Sequence, residues 1–166
     1  MFNRILVAID GADHSRQVIP TAVAIARQFK SDVYVLHVSE HDRGRAAVYS
    51  TETPAEVTKL VADAVKAIRA EGITAKGDVM DAAAGHVAKY IVDTARTIEA
   101  NLIVMGSRGL SDVEGLFMGS VTHQVLQQAN TAVLIARGPV PAVEKAAEKT
   151  AEKAAEPVVA RNLAAV

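Results

Sequence analysis

Three glycines and a serine follow one apolar run in the second half of the chain at a spacing that could bind an anion. The pattern is Gly106-x2-Gly109-x9-Gly119-Ser120, directly after the run Leu102–Met105. Glycine lets backbone N–H groups approach a ligand closely, and the N–H groups and dipole at the start of a helix favour negative charge. We therefore predict that this connection binds phosphate and that Gly119-Ser120 opens a helix.

The cation within this pattern is Arg108, since the chain lacks the Gly-x4-Gly-Lys-Ser/Thr lysine of a P-loop. We interpret Arg108 as a residue that offsets the negative charge of the phosphate. The alternative, which the sequence leaves open, is that Arg108 is an exposed loop arginine without a role in binding. Hydroxyl groups also lie in or beside the connection, so phosphoryl transfer to one of them is a further hypothesis. The candidate acceptors are Ser107, Ser111, Ser120 and Thr122.

Other catalytic or metal chemistry fits the residue pattern less well. His37 and His41 lie close together, but a strand end and a loop do not give the i,i+4 helical spacing of a metalloprotease site. A triad built on Asp10, Ser120 and a histidine would lack a Gly-x-Ser-x-Gly elbow. A response-regulator receiver would need a lysine after the fifth strand, where this chain has Arg137. We predict no catalytic residue and no metal site made by protein alone.

Five short apolar segments alternate with stretches of helical periodicity, which is typical of parallel strands joined by crossover helices. We predict an α/β fold with one doubly wound, five-stranded parallel sheet and helices on both faces. The predicted strands are Ile5–Ile9, Val33–Val38, Ile73–Val79, Leu102–Met105 and Ala132–Ala136, the third interrupted by Lys76 and Gly77. The predicted helices run from an N-cap at Asp13 or Ser15 to Phe29, and over Ala55–Glu71, Ala84–Glu99 and Ser120–Ala129.

This fold class indicates where a ligand should bind. In doubly wound sheets, ligands lie beyond the carboxyl ends of the strands, at the point where the strand order reverses. Asp10-Gly11 ends the first predicted strand and Gly106 ends the fourth. Both strand ends are therefore candidate parts of one site.

Composition excludes several classes of partner. The chain has 166 residues, a formal net charge of -1 and only 4% aromatic residues, so it offers neither a basic field nor stacking platforms for nucleic acid. It has no cysteine, which removes thiolate chemistry and is compatible with a reducing cytosol. No apolar run reaches the roughly 18 residues of a membrane span. We expect a cytoplasmic protein without nucleic acid and without membrane insertion.

The chain changes character after Arg137. Gly138, Pro139 and Pro141 break structure, and Glu144 to Glu156 then repeats Glu, Lys and Ala with a period of four. Such sequences behave as partly helical spacers, and like charges at i,i+4 weaken an isolated helix. We predict a domain over residues 1–137 followed by an Ala/Glu/Lys-rich tail over residues 138–166.

The first 137 residues resemble the universal stress protein family, in its ATP-binding branch. Besides the glycine pattern, the resemblance rests on three segments that together are more specific than any one of them. These are Arg4-Ile5-Leu6-Val7-Ala8-Ile9-Asp10-Gly11, Leu36-His37-Val38 and Thr131-Ala132-Val133-Leu134-Ile135-Ala136.

The resemblance implies a strand order of 3-2-1-4-5, ATP as the ligand and Mg²⁺ with it. In ATP-binding members the acid after strand 1 approaches the ribose, which points to Asp10, beside Gly11. The backbone at the end of strand 2 meets adenine, which points to Val38. By the same resemblance, Met105 and Gly106 line the ribose and base side, and the phosphates are held by Gly109, Gly119, Ser120 and the backbone of Val121.

Some positions depart from the family pattern. Ala12 stands where relatives often carry serine, and Asp112 and Glu114 stand where they often carry a basic residue. Carboxylates near a triphosphate repel it unless they point into solvent or a divalent cation intervenes, and we favour solvent.

Three functions remain open at this level. The first is an ATP-binding stress-response regulator in which binding acts as a switch, with little or no hydrolysis because no residue is visibly placed to activate water. The second is a dimeric interaction module that binds no nucleotide and acts on an unknown protein partner, and the third is a weak ATPase or autokinase. The apolar edge Ala132–Ala136 lacks charged protection, and together with the resemblance it predicts a homodimer joined through that strand.

Overall fold

A computed structural model describes residues 1–10, 17–41, 53–107 and 118–137 of the chain. Its strands form one parallel sheet in the order β3-β2-β1-β4-β5, which confirms the predicted fold class and strand order. The strands are β1 (Arg4–Ala8), β2 (Asp32–His41), β3 (Ala75–Ala83), β4 (Leu102–Gly106) and β5 (Ala132–Ala136). The helices are α1 (Val18–Phe29), α2 (Pro54–Ala70), α3 (Val87–Thr97) and α4 (Ser120–Gln128).

The inner strands β1 and β4 are buried on both faces of the sheet, as their apolar sequences predict. Alternate residues of one strand point to opposite faces, so Ile5 and Val7 of β1 join a core with α1 and α2, whereas Leu6 joins a second core with α3 and α4. β1 and β4 lie at the centre of the sheet, and Ile103 of β4 is completely buried. Two helices therefore cover each face.

The largest difference from the predicted elements is at β3. We predicted Ile73–Val79, but the strand runs over Ala75–Ala83 because it pairs with β2 as far as His41. Gly77 does not interrupt it. A Cβ atom there would lie 2.6 Å from Val61 Cγ1 and 2.9 Å from Val65 Cγ2, so the glycine lets α2 pack closely on the edge strand.

The ends of the helices follow local backbone chemistry. α3 begins at Val87 rather than at the predicted Ala84, because β3 continues to Ala83 and Gly85 turns the chain with φ of 79°. Gly72, with φ of 76°, follows α2 as predicted. The predicted caps of α1, Asp13 and Ser15, lie outside the described residues, as does the tail over residues 138–166.

The N-terminus of α2 is closed by its own side chains. The Thr53 hydroxyl accepts the backbone N–H of Glu56 at 3.3 Å, and the Glu56 carboxylate accepts the backbone N–H of Thr53 at 2.7 Å. Pro54 stands at the first helical position, where its missing N–H costs nothing. This capping box lowers the pKa of the Glu56 carboxyl, chiefly through the hydrogen bond from the Thr53 backbone.

A transmembrane helix is absent from the described residues, because none of the helices there has the length and apolarity that crossing a membrane requires.

Candidate functional site

The strand order reverses at β1. This strand pairs with β2 on one side and with β4 on the other, and the helices that follow β1 and β4, α1 and α4, lie on opposite faces of the sheet. The carboxyl ends of β1 and β4 therefore flank the position at which doubly wound proteins bind ligands, in a crevice beyond the strand ends. Ala8 is in register with Met105, which brings Asp10 and Gly106 to the same edge.

The end of β4 is tied directly to the start of α4. The backbone N–H of Gly119 donates to the carbonyl of Ser107 at 2.7 Å, and the Thr122 hydroxyl donates to the carbonyl of Gly106 at 3.0 Å. These two hydrogen bonds bring the first and last glycines of the Gly-x2-Gly-x9-Gly-Ser pattern together, although 12 residues separate them in the sequence. We call this pair of contacts the β4–α4 clasp.

The N-terminus of α4 has no cap from a side chain of the described residues. Gly119 is the N-cap residue, with φ of -68° and ψ of 154°, and no acidic residue occupies the first turn. The first N–H groups of a helix have no acceptor within the helix, so those of Ser120 and Val121 point out of its end. Backbone donors and the helix dipole at this position suit an anion.

The end of β2 lies on the other side of β1 from β4. Val38 is partly buried and packs against the core formed with α3 and α4, in register with Met80 of β3. Two residues later, the Glu40 carboxylate accepts the backbone N–H of Gly85 just before α3. This contact ties β2 to the β3–α3 turn, and we did not anticipate it from the sequence.

Seven of the ten predicted site residues are described, and all seven lie at the carboxyl edge of the sheet. Met105 and Gly106 are buried, Ser120 is exposed, and the others are partly buried. The seven are Asp10, Val38, Met105, Gly106, Gly119, Ser120 and Val121, whereas Gly11, Arg108 and Gly109 lie outside the described residues. Ala12, Ser111, Asp112 and Glu114 also lie outside them.

Two polar residues at this edge have structural roles that sequence reasoning missed. Thr122 was considered only as a phosphoryl acceptor, but its side chain is buried and engaged in the clasp. His37 was considered only as a metal ligand, but its Nδ1 atom lies 2.9 Å from the carbonyl oxygen of Ile9. No group of three potential metal-ligating side chains occurs among the described residues. A polar residue at the buried end of an apolar strand was the available signal for His37.

The fold and this edge define a class: a doubly wound α/β protein whose strand order reverses between β1 and β4, with a helix after β4 that no side chain of the described residues caps. Comparison with known proteins places the chain within that class. The family model described as "Universal stress protein family" matches residues 1–137. The chain belongs to the universal stress protein family.

Individual relatives agree with this assignment. Universal stress protein YxiE of Bacillus subtilis is 33% identical over 153 residues, which covers 82% of this chain and 100% of that protein. A universal stress protein of Thermus aquaticus is 33% identical over 140 residues with the same coverage. Among solved structures, the universal stress protein from Archaeoglobus fulgidus in complex with dAMP is 27% identical, with a TM-score of 0.63, covering 82% of this chain and 100% of that one.

Proposed function

We propose that this protein binds an adenine nucleotide in the crevice between β1 and β4, that ATP with Mg²⁺ is the physiological ligand, and that binding acts as a switch in a stress response. The observation that carries the proposal is the β4–α4 clasp, which holds the N-terminus of α4 at the end of β4, where no side chain of the described residues caps it. The dAMP complex of the Archaeoglobus fulgidus relative supports an adenine nucleotide as the ligand class.

The proposed roles follow the geometry from base to phosphate. The Val38 backbone meets adenine, the Asp10 carboxylate approaches the ribose, and Met105 and Gly106 line the space between them. The N–H groups of Gly119, Ser120 and Val121 lie on the phosphate side, although that of Gly119 already donates to Ser107. The family resemblance and the glycine pattern also assign Gly11, Arg108 and Gly109 to the site, and these three residues lie outside the described part of the chain.

Mg²⁺ would enter with the nucleotide. Magnesium is usually held by phosphate oxygens and water with one or two carboxylates rather than by a protein cage, and the part of the chain that the structure describes has no ready-made cluster of ligands. Thr122, one of the four candidate phosphoryl acceptors, is buried in the clasp. This burial disfavours autophosphorylation at Thr122.

Direct identification of the ligand tests this proposal. Small molecules released from purified protein by denaturation are identified by mass, and calorimetry then measures ATP, AMP and GTP with and without MgCl₂. We expect close to one adenine nucleotide per chain, tighter binding of ATP when MgCl₂ is present, and much weaker binding of GTP. An empty protein that binds no adenine nucleotide at millimolar concentration would leave the interaction-module hypothesis.

We also propose that the protein is a homodimer joined through β5. Ala132 is exposed, Val133, Leu134 and Ile135 are only partly buried, and the strand carries no charge. An apolar sheet edge of this kind is normally paired or covered. The opposite edge, β3, carries the charged residues Lys76, Asp78 and Asp81.

Sedimentation velocity tests the dimer with a pair of matched variants. Ala132→Lys places a charge on the β5 edge, and Ala83→Lys places the same charge on an exposed residue at the end of β3. At about 10 micromolar, a concentration at which a stable interface stays associated, we expect the unsubstituted protein and Ala83→Lys to sediment as dimers. We expect Ala132→Lys to sediment as a monomer. A monomeric unsubstituted protein would contradict the proposal.

A further inference from the structure

His37 is a buried imidazole beside the proposed site. Val33 and Val35 of β2 belong to the core formed with α1 and α2, and strand alternation places His37 on the same face. The residue is only 2% exposed. Burying a polar ring on an apolar strand costs free energy unless hydrogen bonds compensate, so its contacts should explain why this position is polar.

The contact of His37 that bears on the site is with β1. Its Nδ1 atom lies 2.9 Å from the carbonyl oxygen of Ile9. A carbonyl oxygen can only accept a hydrogen bond, so Nδ1 carries the proton and donates it. The N–H of the same residue, Ile9, donates to the carbonyl of Leu36 at 3.0 Å. The main chain and a side chain of β2 therefore hold Ile9 at both its N–H and its carbonyl group.

This arrangement extends the hold of β2 past the last paired residue of β1. The strand pairing ends with Ala8 opposite Leu36, and Ile9 is the next residue. The carbonyl held by His37 belongs to the peptide group whose nitrogen is that of Asp10. Rotation of this peptide would change the direction in which Asp10 leaves the sheet, so the hydrogen bond restricts where its carboxylate can lie.

We infer that His37 is a positioning residue that orients Asp10 toward the ribose of a bound nucleotide; this inference rests on the proposed function. The imidazole acts through the Ile9–Asp10 peptide and does not itself contact the ligand. A purely structural role for the same hydrogen bond would stabilise the fold equally whether or not residue 10 carries a carboxylate. The two roles therefore differ in whether the effects of residues 37 and 10 on binding are coupled.

A double-mutant cycle with AMP as the probe measures that coupling. The proteins are the unsubstituted chain, His37→Leu, Asp10→Asn and the double variant, and calorimetry gives each dissociation constant. We expect His37→Leu to weaken AMP binding about tenfold in the unsubstituted background, because residues that act through one another show such coupling, and less than about twofold in the Asp10→Asn background. His37→Asn, which can place an amide N–H near the position of Nδ1–H, should restore most of the affinity.

A second readout separates positioning from general loss of stability. Amide hydrogen exchange in the nucleotide-free protein should speed up at Asp10 in His37→Leu and return toward the unsubstituted rate in His37→Asn. If His37→Leu does not fold, His37→Gln replaces it, since its longer side chain carries the amide nearer to the position of Nε2. The Asn variant should then bind AMP more tightly than the Gln variant.

The outcomes distinguish this inference from the proposed function. Unchanged AMP affinity in His37→Leu, an equal loss in both backgrounds, or equal affinities of the Asn and Gln variants would overturn the role of His37 while leaving nucleotide binding in place. Absence of AMP and ATP binding by the unsubstituted protein would overturn both.

Discussion

The N-termini of α2 and α4 have similar backbones but opposite chemistry. The N-cap residues Thr53 and Gly119 are both extended, with ψ of 152° and 154°. Thr53 and Glu56 satisfy the first backbone donors of α2 with their own side chains. Gly119 has no side chain to do the same, and no acidic residue stands in the first turn of α4.

This difference separates a helix end closed by its own side chains from one that a ligand closes in the proposed function. Replacing a capping Ser, Thr, Asn or Asp with Gly costs only a few tenths of a kcal/mol, so α4, with Gly119 at its N-cap, gives up little stability relative to α2. The β4–α4 clasp holds the end of α4 in place. In the proposed function, the phosphate oxygens of the nucleotide act as the cap that the sequence omits.

The largest effect should come from closing α4 in the way that α2 is closed. Gly119→Asp would let a carboxylate accept the same N–H groups and repel phosphate, and two unit charges 4 Å apart interact by about 4 kcal/mol at an effective dielectric constant of 20. The φ of -68° at Gly119 accommodates any residue. We expect ATP affinity to fall more than about 100-fold, measured by calorimetry, while the free protein gains a few tenths of a kcal/mol.

Gly119→Asn is the matched control for this substitution. Asparagine also caps a helix but brings no charge, so it should weaken ATP binding less than aspartate does. Equal affinity of Gly119→Asp and the unsubstituted protein would show that the phosphates lie elsewhere.

A smaller effect should follow from removing a single backbone donor. Ser120→Pro gives α4 the residue that α2 already has at its first helical position, Pro54, and the extended Gly119 is a suitable residue to precede it. A hydrogen bond to a charged group contributes about 1.5–3 kcal/mol. We therefore expect ATP affinity to fall about 10- to 100-fold in calorimetry, with an unchanged circular dichroism spectrum.

Ser120→Ala separates the backbone donor from the side chain. It removes the hydroxyl and keeps the N–H, so it should bind ATP more tightly than Ser120→Pro. Equal affinities of the two variants would mean that the backbone N–H of residue 120 does not contact the ligand.

The fold could be predicted because its determinants are local in sequence. Buried parallel strands read as apolar runs, and the bounds of β5 agree with the prediction at both ends. The bounds of β3 were wrong because its residues carry no clear apolar pattern, and pairing with β2 determines where it ends. Gly77 looked like an interruption because the side chains that fill its space, Val61 and Val65, belong to a different element.

The candidate site was less predictable for the same reason. Glycine spacing correctly indicated that α4 begins at Ser120. The roles of Thr122 and His37 depend on carbonyl groups of Gly106 and Ile9, which lie 16 and 28 residues away in the sequence. Hydrogen bonds to distant backbone atoms leave no spacing rule in the chain, so such contacts become visible only when the sheet is assembled.

The next effect concerns stability and leaves binding unchanged. Thr53→Ala opens the N-terminus of α2 and should cost about 0.5–2 kcal/mol in the free energy of unfolding, measured by urea denaturation. ATP affinity should stay within about twofold of the unsubstituted value, because α2 packs on the sheet away from the β4–α4 clasp. Thr53→Ser, which keeps the hydroxyl, should restore most of the stability. A loss of affinity in Thr53→Ala would contradict the division of roles between the two helix ends.

The smallest effect is a pH dependence confined to α2. The folded state lowers the pKa of the Glu56 carboxyl, chiefly through the Thr53 backbone hydrogen bond. A lowered pKa means that the stabilisation is fully present above the unfolded-state pKa of about 4.3 and is lost as the pH falls through the folded-state value. Glu56→Gln should therefore be less stable than the unsubstituted protein at pH 7, and the difference should shrink toward pH 3. Urea denaturation at both pH values measures this difference in the free energy of unfolding. A difference that does not change with pH would mean that the Glu56 charge contributes nothing to the cap. No acidic residue stands in the first turn of α4. Protonation of a capping carboxylate therefore cannot change the stability of that helix end as it does at α2.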